Sequence, residues 1–214
     1  MYHTEYDDQL ENMVDQCRNA SKQIYMFNND KNINVNRLLN NAILNLIYSI
    51  MCKDDKLTNK HQVRRNMYYF MDVMKKAYYT EDHNTAIVMK NALDHSALKT
   101  FKFKSRKKDK EFEKIFEERY GTWRTCWDKH LKEAISCKLT EDYIPSLIVL
   151  NIHKQRTKEY TKSIKMNITE EEIQSRIGLI SMMHPLIAED KFPLYEEPPV
   201  HSNSDLFAIA SAIK

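Results

Sequence analysis

The chain has 214 residues, with 33 basic and 30 acidic side chains for a formal net charge of +3, and 42% of it is hydrophobic. That balance suits one domain with a sizeable core and excludes a molecule whose interactions are ruled by net charge. Only 2 glycines and 5 prolines occur, so few residues suit positive φ or tight hairpins, and an all-α fold is expected.

Asp7 to Phe27 sets Leu10, Val14, Cys17, Ile24 and Phe27 near one face and reads as an opening helix. The asparagine-rich stretch 28–34 reads as a loop. From Val35 to Cys52, Leu38, Leu39, Ala42, Ile43, Leu46, Ile47 and Ile50 recur at three- and four-residue spacing, the pattern of a broadly buried helix. Residues 53–60 break it. His61 to Tyr79 forms the next helix, and Asp82 is placed to cap a helix holding Ala86, Ile87, Met89, Leu93 and Leu98. So short a connection makes these two helices antiparallel neighbours.

A basic stretch, 99–110, precedes a charged helix from Glu111 to Tyr120 and a further helix from Thr122 to about Lys138. Tyr143 to Ile152 is apolar almost throughout and is either a buried helix or a buried strand. Thr169 and Glu172 have the capping-box form and open a helix to about His184. Pro193, Pro198 and Pro199 mark an extended tail. The chain thus divides into an N-terminal helix and loop (1–34), a compact domain (35–194) and an extended C-terminal tail (195–214).

Reactive chemistry is hard to find in this pattern. Neither GxGxxG nor GxxxxGK[ST] can be written around Gly121 and Gly178, which excludes a glycine-loop phosphate cradle. Cys17, Cys52, Cys126 and Cys137 are scattered without CxxC, and the histidines form no HExxH or carboxylate–histidine pairing at helical offset that would hold a metal, so neither a metal nor a cofactor is expected. No serine or cysteine has a local base. Acidic Glu5, Asp7 and Asp8 stand where a signal peptide would be basic then apolar, so a cytoplasmic protein with reduced thiols is expected.

Two features admit two readings each. Lys99, Lys102, Lys104, Arg106, Lys107, Lys108 and Lys110, with Phe101 and Phe103 among them, form either a patch for phosphates or anionic lipid, or a solvated loop and helix start balanced by Glu111, Glu113, Glu117 and Glu118. The aromatic and methionine stripe 67–74 is either an adaptable groove or core, as the Trp123 and Trp127 pair is a seam between helices. Residues alone lead to an all-α domain that acts by binding another protein.

One stretch carries more. Arg64 to Phe101 resembles the central helical pair of the Ras-type guanine-nucleotide exchange factor (RasGEF) catalytic domain: an arginine opening a helix with Tyr69-Phe70-Met71, a turn at Asp82-His83-Asn84, then Ala86-Ile87, Leu93 and Leu98-Lys99-Thr100-Phe101. Val35 to Cys52 is similar to the family's preceding helix, and Tyr143-Ile144-Pro145-Ser146-Leu147 sits where the family has its Cys-(Ile/Val)-Pro-Phe segment. The likeness runs to Phe192-Pro193-Leu194. After Pro145 the family's glycine and tyrosine are replaced within Ser146 to Leu150, and the asparagine that usually ends the second helix is Asp94.

The resemblance implies a single multi-helix domain with a helical-hairpin wedge, acting on a Ras-superfamily small GTPase of Ras, Rap, Ral or Rab type without covalent chemistry, cofactor, metal or specific nucleic acid. By position it implies that Leu38, Asn45, Ile87, Asn91, Asp94, Leu98 and Leu147 face the GTPase. His153 and Gln155 lie where the wedge begins, and Glu159 is the carboxylate that intrudes on the nucleotide site. The alternative is an exchange-inactive scaffold of the same fold that binds a GTPase or another protein. The richness in lysine, asparagine and isoleucine suits an AT-rich genome and an effector acting in a host cytosol.

Overall fold

The computed structural model describes residues 5–26, 34–121, 128–137, 139–157 and 194–213. These are mostly helical: α1 (Glu5–Met26), α2 (Val35–Met51), α3 (Lys60–Tyr79), α4 (His83–Leu93), α5 (Ser96–Lys99), α6 (Lys107–Tyr120), α7 (Asp128–Ser136), α8 (Leu147–Thr157) and α9 (Asn203–Ala212), with a two-stranded hairpin of β1 (Cys52–Lys53) and β2 (Lys56–Leu57) between α2 and α3. The all-α expectation holds. None of the described helices is long and apolar enough to cross a membrane.

The architecture is organised around α4. It is buried almost all round, from His83 to Met89 and again at Ala92 and Leu93, and packs against α1, α2, α3 and α8. Helix α2 presents Leu39, Leu46, Ile47 and Ile50 to the core around it, and α3 presents Met67, Met71 and Met74. Burial of each such side chain contributes about 1.5–3 kcal/mol. The methionine stripe is therefore core. So is the inner face of the N-terminal helix, whose Val14, Cys17 and Ser21 are buried; α1 packs on α3 and α4 as part of the same body.

The local signals act as their chemistry requires. Asn34, Asn59 and Asp82 each accept a hydrogen bond from a first-turn N–H of the helix that follows, from Arg37, Gln62 and Thr85 respectively. The hairpin departs from what a glycine-poor chain leads one to expect. Asp54 and Asp55 take its positive φ values of 51° and 55°, a conformation that aspartate tolerates better than most non-glycine residues. Gly121 ends α6 at φ 84°.

Three expectations change. The helix foreseen through Leu98 stops at Leu93 and restarts as α5, because the His95 ring accepts from Ala97 N–H (3.2 Å) and caps a new turn. The apolar run 143–152 splits: Ile144 pairs with the Asp82 backbone as an isolated bridge, and the helix begins at Leu147. The tail 195–214 is not extended throughout. A Ser202/Asp205 capping box starts α9, which buries Leu206 and Ala210 against α2 and α5. Trp123, Trp127 and the helix expected at 169–184 lie outside the described residues.

Candidate functional site

Four helices enclose an apolar-floored opening. Helix α2 contributes Asn36, Leu39, Asn40 and Ile43; α4 and the residue after it contribute Lys90, Asn91 and Asp94; α6 contributes Phe116 and Glu117, with Gly121 beyond its end; α8 contributes Ile148, Asn151 and Ile152; and Lys99 closes one side. The cavity measures about 590 Å³. Its floor is apolar and its rim is amide and charge, the build of a recognition groove rather than of a reaction centre. On the rim, Lys90 Nζ lies 3.0 Å from the Asp94 carboxylate and 3.9 Å from that of Glu113. Asn151 donates across the groove's edge to the Asn36 side-chain oxygen (2.9 Å), joining α8 to α2.

Behind the groove lies a second polar assembly. The last turns of α6 direct Phe116 and Glu117 toward the groove, while Arg119 and Tyr120 face the α3–α4 turn and α7. The Arg119 guanidinium donates twice to Glu81 (2.8 and 3.2 Å) and once closely to Glu133 (2.6 Å). His83 Nε2 sits 2.8 Å from the Glu81 carboxylate and its Nδ1 meets the Tyr120 hydroxyl. His130 Nδ1 lies 3.2 Å from Glu133. Glu81 holds a left-handed backbone, φ 59°, in the turn that presents its carboxylate to this cluster.

The electrostatics follow from burial and a single guanidinium. Burial holds both imidazoles below their ordinary value, and for His83 the facing His130 and Arg119 add to it. Burial pushes Glu133 up, but the Arg119 hydrogen bond and charge outweigh it and bring the carboxyl down to about 2. Arg119 likewise lowers Glu81. On the other side of the turn, burial raises the Asp82 carboxyl to about 6. One of its oxygens accepts from Thr85 N–H (3.0 Å), and the other has no partner among the described residues.

The structure adds to two of the sequence readings. His130 and Glu133 are a histidine–carboxylate pair at helical offset, and with Glu81 and His83 they form a cluster whose ligand-type atoms in Glu81, His83 and Glu133 lie within 4.8 Å of one another. The cation among them is Arg119, whose Nη2 touches all three. The basic stretch is also not uniform. Arg106 is drawn inward, bidentate to Asp72 (2.6 and 2.9 Å) and bonded to Asp109 (2.8 Å), and Asp109 also meets Lys75. Lys99, Lys102, Lys104, Lys107, Lys108 and Lys110 remain exposed.

The residues chosen by resemblance fall into four groups. Asn91 and Asp94 line the groove, and Leu38 is half-buried next to its wall on α2. Ile87, Leu98 and Leu147 are each 0% exposed, so in this arrangement they build the core behind the groove and offer a partner no surface. Asn45 is buried as well, donating to the carbonyls of Leu194 (3.2 Å) and Glu196 (2.9 Å). His153 and Gln155 belong to the final turns of α8, with side chains outside the described residues, as is all of Glu159. Leu39, Ile43, Ile148 and Ile152 line the groove without having been singled out by the resemblance, although the first two lie on the α2 stripe one position from Leu38 and about one turn from it.

No protein-family model, curated protein or solved structure matches the chain.

Proposed function

We propose that this chain is a guanine-nucleotide exchange factor for a Ras-superfamily small GTPase. The observation that carries the reading is the meeting of α2, α4 and α8 around one open, apolar-floored groove. Helices α2 and α4 lie within the stretches that resemble the RasGEF motifs, α8 begins where the third such stretch, Tyr143 to Leu147, ends, and Asn91 and Asp94, selected by that resemblance, stand on the rim. A groove of this volume holds an anchor and not a whole interface, so the exposed faces of the surrounding helices supply the remaining contact.

The action is differential binding. A protein that prefers the nucleotide-free shape of its partner lowers the partner's affinity for GDP by the same factor, with no bond made or broken in either protein. Moving a partner from 1:99 to 99:1 takes about 5.5 kcal/mol of preference, which an apolar anchor with surrounding contacts can supply. A wedge carboxylate at Glu159 remains part of this proposal.

One observation favours a second reading, an exchange-inactive scaffold: Ile87, Leu98 and Leu147 are committed to the core rather than to a partner. A single experiment separates the two. Catalytic amounts of the chain are added to Ras, Rap, Ral and Rab proteins loaded with a fluorescent nucleotide, and binding is measured alongside. Accelerated release from at least one supports exchange, stable binding without acceleration selects the scaffold, and neither result with any GTPase removes the exchange reading and leaves only a scaffold for another protein.

A further inference from the structure

Two walls of the groove, α4 and α8, are far apart in sequence, and one buried side chain joins them. Asn84, in the first turn of α4, is 0% exposed. Its Oδ1 accepts from the N–H of Leu147, the first residue of α8 (3.1 Å). Its Nδ2 donates to the hydroxyls of Tyr195 (2.9 Å) and Ser21 (3.1 Å), and Ser21 is in turn 2.9 Å from the Thr85 hydroxyl. One amide thus ties α4 to α1, to the start of α8 and to the returning chain at 195.

We infer that Asn84 is a positioning residue that fixes where α8 begins against α4 and thereby sets the width of the groove. The first amides of a helix have no partner within it, so an acceptor supplied from outside decides where that helix is held. Here the acceptor comes from the same helix that carries Asn91 about two turns further on. The Ile144 bridge holds the chain three residues before α8, and within the helix itself apolar packing against α4 is non-directional, so the Leu147 bond supplies the fixed point at its first residue. A hydrogen bond between fully buried groups resists sliding, since breaking it strands both the Leu147 N–H and the Asn84 carbonyl. The inference rests on the exchange reading only for its activity readout.

Amide hydrogen exchange of the full chain, with Asn84→Ala, Asn84→Asp and the remote core control Val63→Ala, tests it. In the wild type the Leu147 amide should be protected to the degree of the α4 core amides, and Asn84→Ala should speed its exchange by about tenfold or more. Asn84→Asp keeps the acceptor and should keep the protection. With a GTPase that responds to the wild type, Asn84→Ala should raise KM about tenfold with kcat little changed, while Val63→Ala at matched loss of Tm leaves KM alone.

A Leu147 amide that exchanges freely in the wild type overturns the inference, and this holds even if Asn84→Ala does not fold. Unchanged exchange in Asn84→Ala, or an equal rise of KM in Val63→Ala, overturns it too. If no GTPase responds to the wild type, the exchange reading fails and the amide measurement alone decides the role of Asn84.

Discussion

The last turns of α6 separate two kinds of polar surface. On one side Arg119 and Tyr120 enter a cluster in which Glu81, Glu133, His83 and His130 are bonded to one another across three elements. On the other, Phe116 and Glu117 border a groove whose rim carries Asn91 and Asp94 around an apolar floor. Density of charge and openness to a partner part company here. The charged assembly directs its carboxylates and guanidinium at one another and joins helices, whereas the sparsely polar groove is open and can take a partner.

The strongest way to break that contrast is Arg119→Met. It leaves the Glu81 and Glu133 carboxylates facing each other without their cation. Removing one partner of a fully buried pair costs about 3–5 kcal/mol; with Glu81 still 41% exposed and Glu133 31%, a loss of about 2–3 kcal/mol is expected in urea unfolding. Arg119→Lys keeps the charge without the two-pronged geometry and should lose less than Arg119→Met. A loss under about 0.5 kcal/mol for Arg119→Met would make the cluster an ordinary surface ion pair.

Next in size is the pH response around the α3–α4 turn, where two neighbouring groups act in opposite senses. His83 and His130 titrate below their unfolded value, so the unfolded chain binds more protons as pH falls below about 6.5, and stability is lost on acidification. Asp82 titrates above its unfolded value, at about 6. Its contribution is therefore greatest at low pH and is lost as pH rises through that value. Asp82→Asn keeps an N-cap acceptor for Thr85 and removes the opposing slope. The variant should gain on the order of 1 kcal/mol at pH 7, and its stability should fall more steeply between about pH 6 and 4 than the wild type's, read from urea midpoints across that range. Equal slopes in the two proteins would remove Asp82 from the pH response.

The difference between the two regions also explains what the sequence reveals. Helices with one apolar stripe and a capping residue, such as α2 after Asn34 and α4 after Asp82, are legible because their signals are local. The Arg119 cluster draws on the α3–α4 turn with the start of α4, on α6 and on α7, and no window of sequence holds all its members together; Glu81 with His83 and His130 with Glu133 are the local pairs, two and three residues apart. Ile87, Leu98 and Leu147 read as partner-facing because an apolar residue on a helix looks the same whether it meets another chain or its own core. Their complete burial distinguishes the two. A low glycine count misleads in the same way: the Asp54-Asp55 turn shows that a glycine-poor chain still makes a hairpin when aspartates accept positive φ.

The smallest expected change in stability belongs to the groove itself, and it is the sharpest test of the contrast. Asn91 is half-buried on the α4 face that opens to the cavity, between the committed core positions Ile87 and Leu98. Asn91→Ala removes a polar rim group and improves helix propensity, so stability should stay within about 0.5 kcal/mol of the wild type. The partner should notice what the fold does not. If the groove receives an anchor from a GTPase, Asn91→Ala lowers affinity for that GTPase by about tenfold while the urea midpoint stays put. Ile87→Ala, one turn earlier and fully buried, should do the reverse and cost about 2–5 kcal/mol of stability. If binding survives Asn91→Ala intact and falls only in proportion to unfolding in Ile87→Ala, the partner docks elsewhere and the open groove is a cleft between helices.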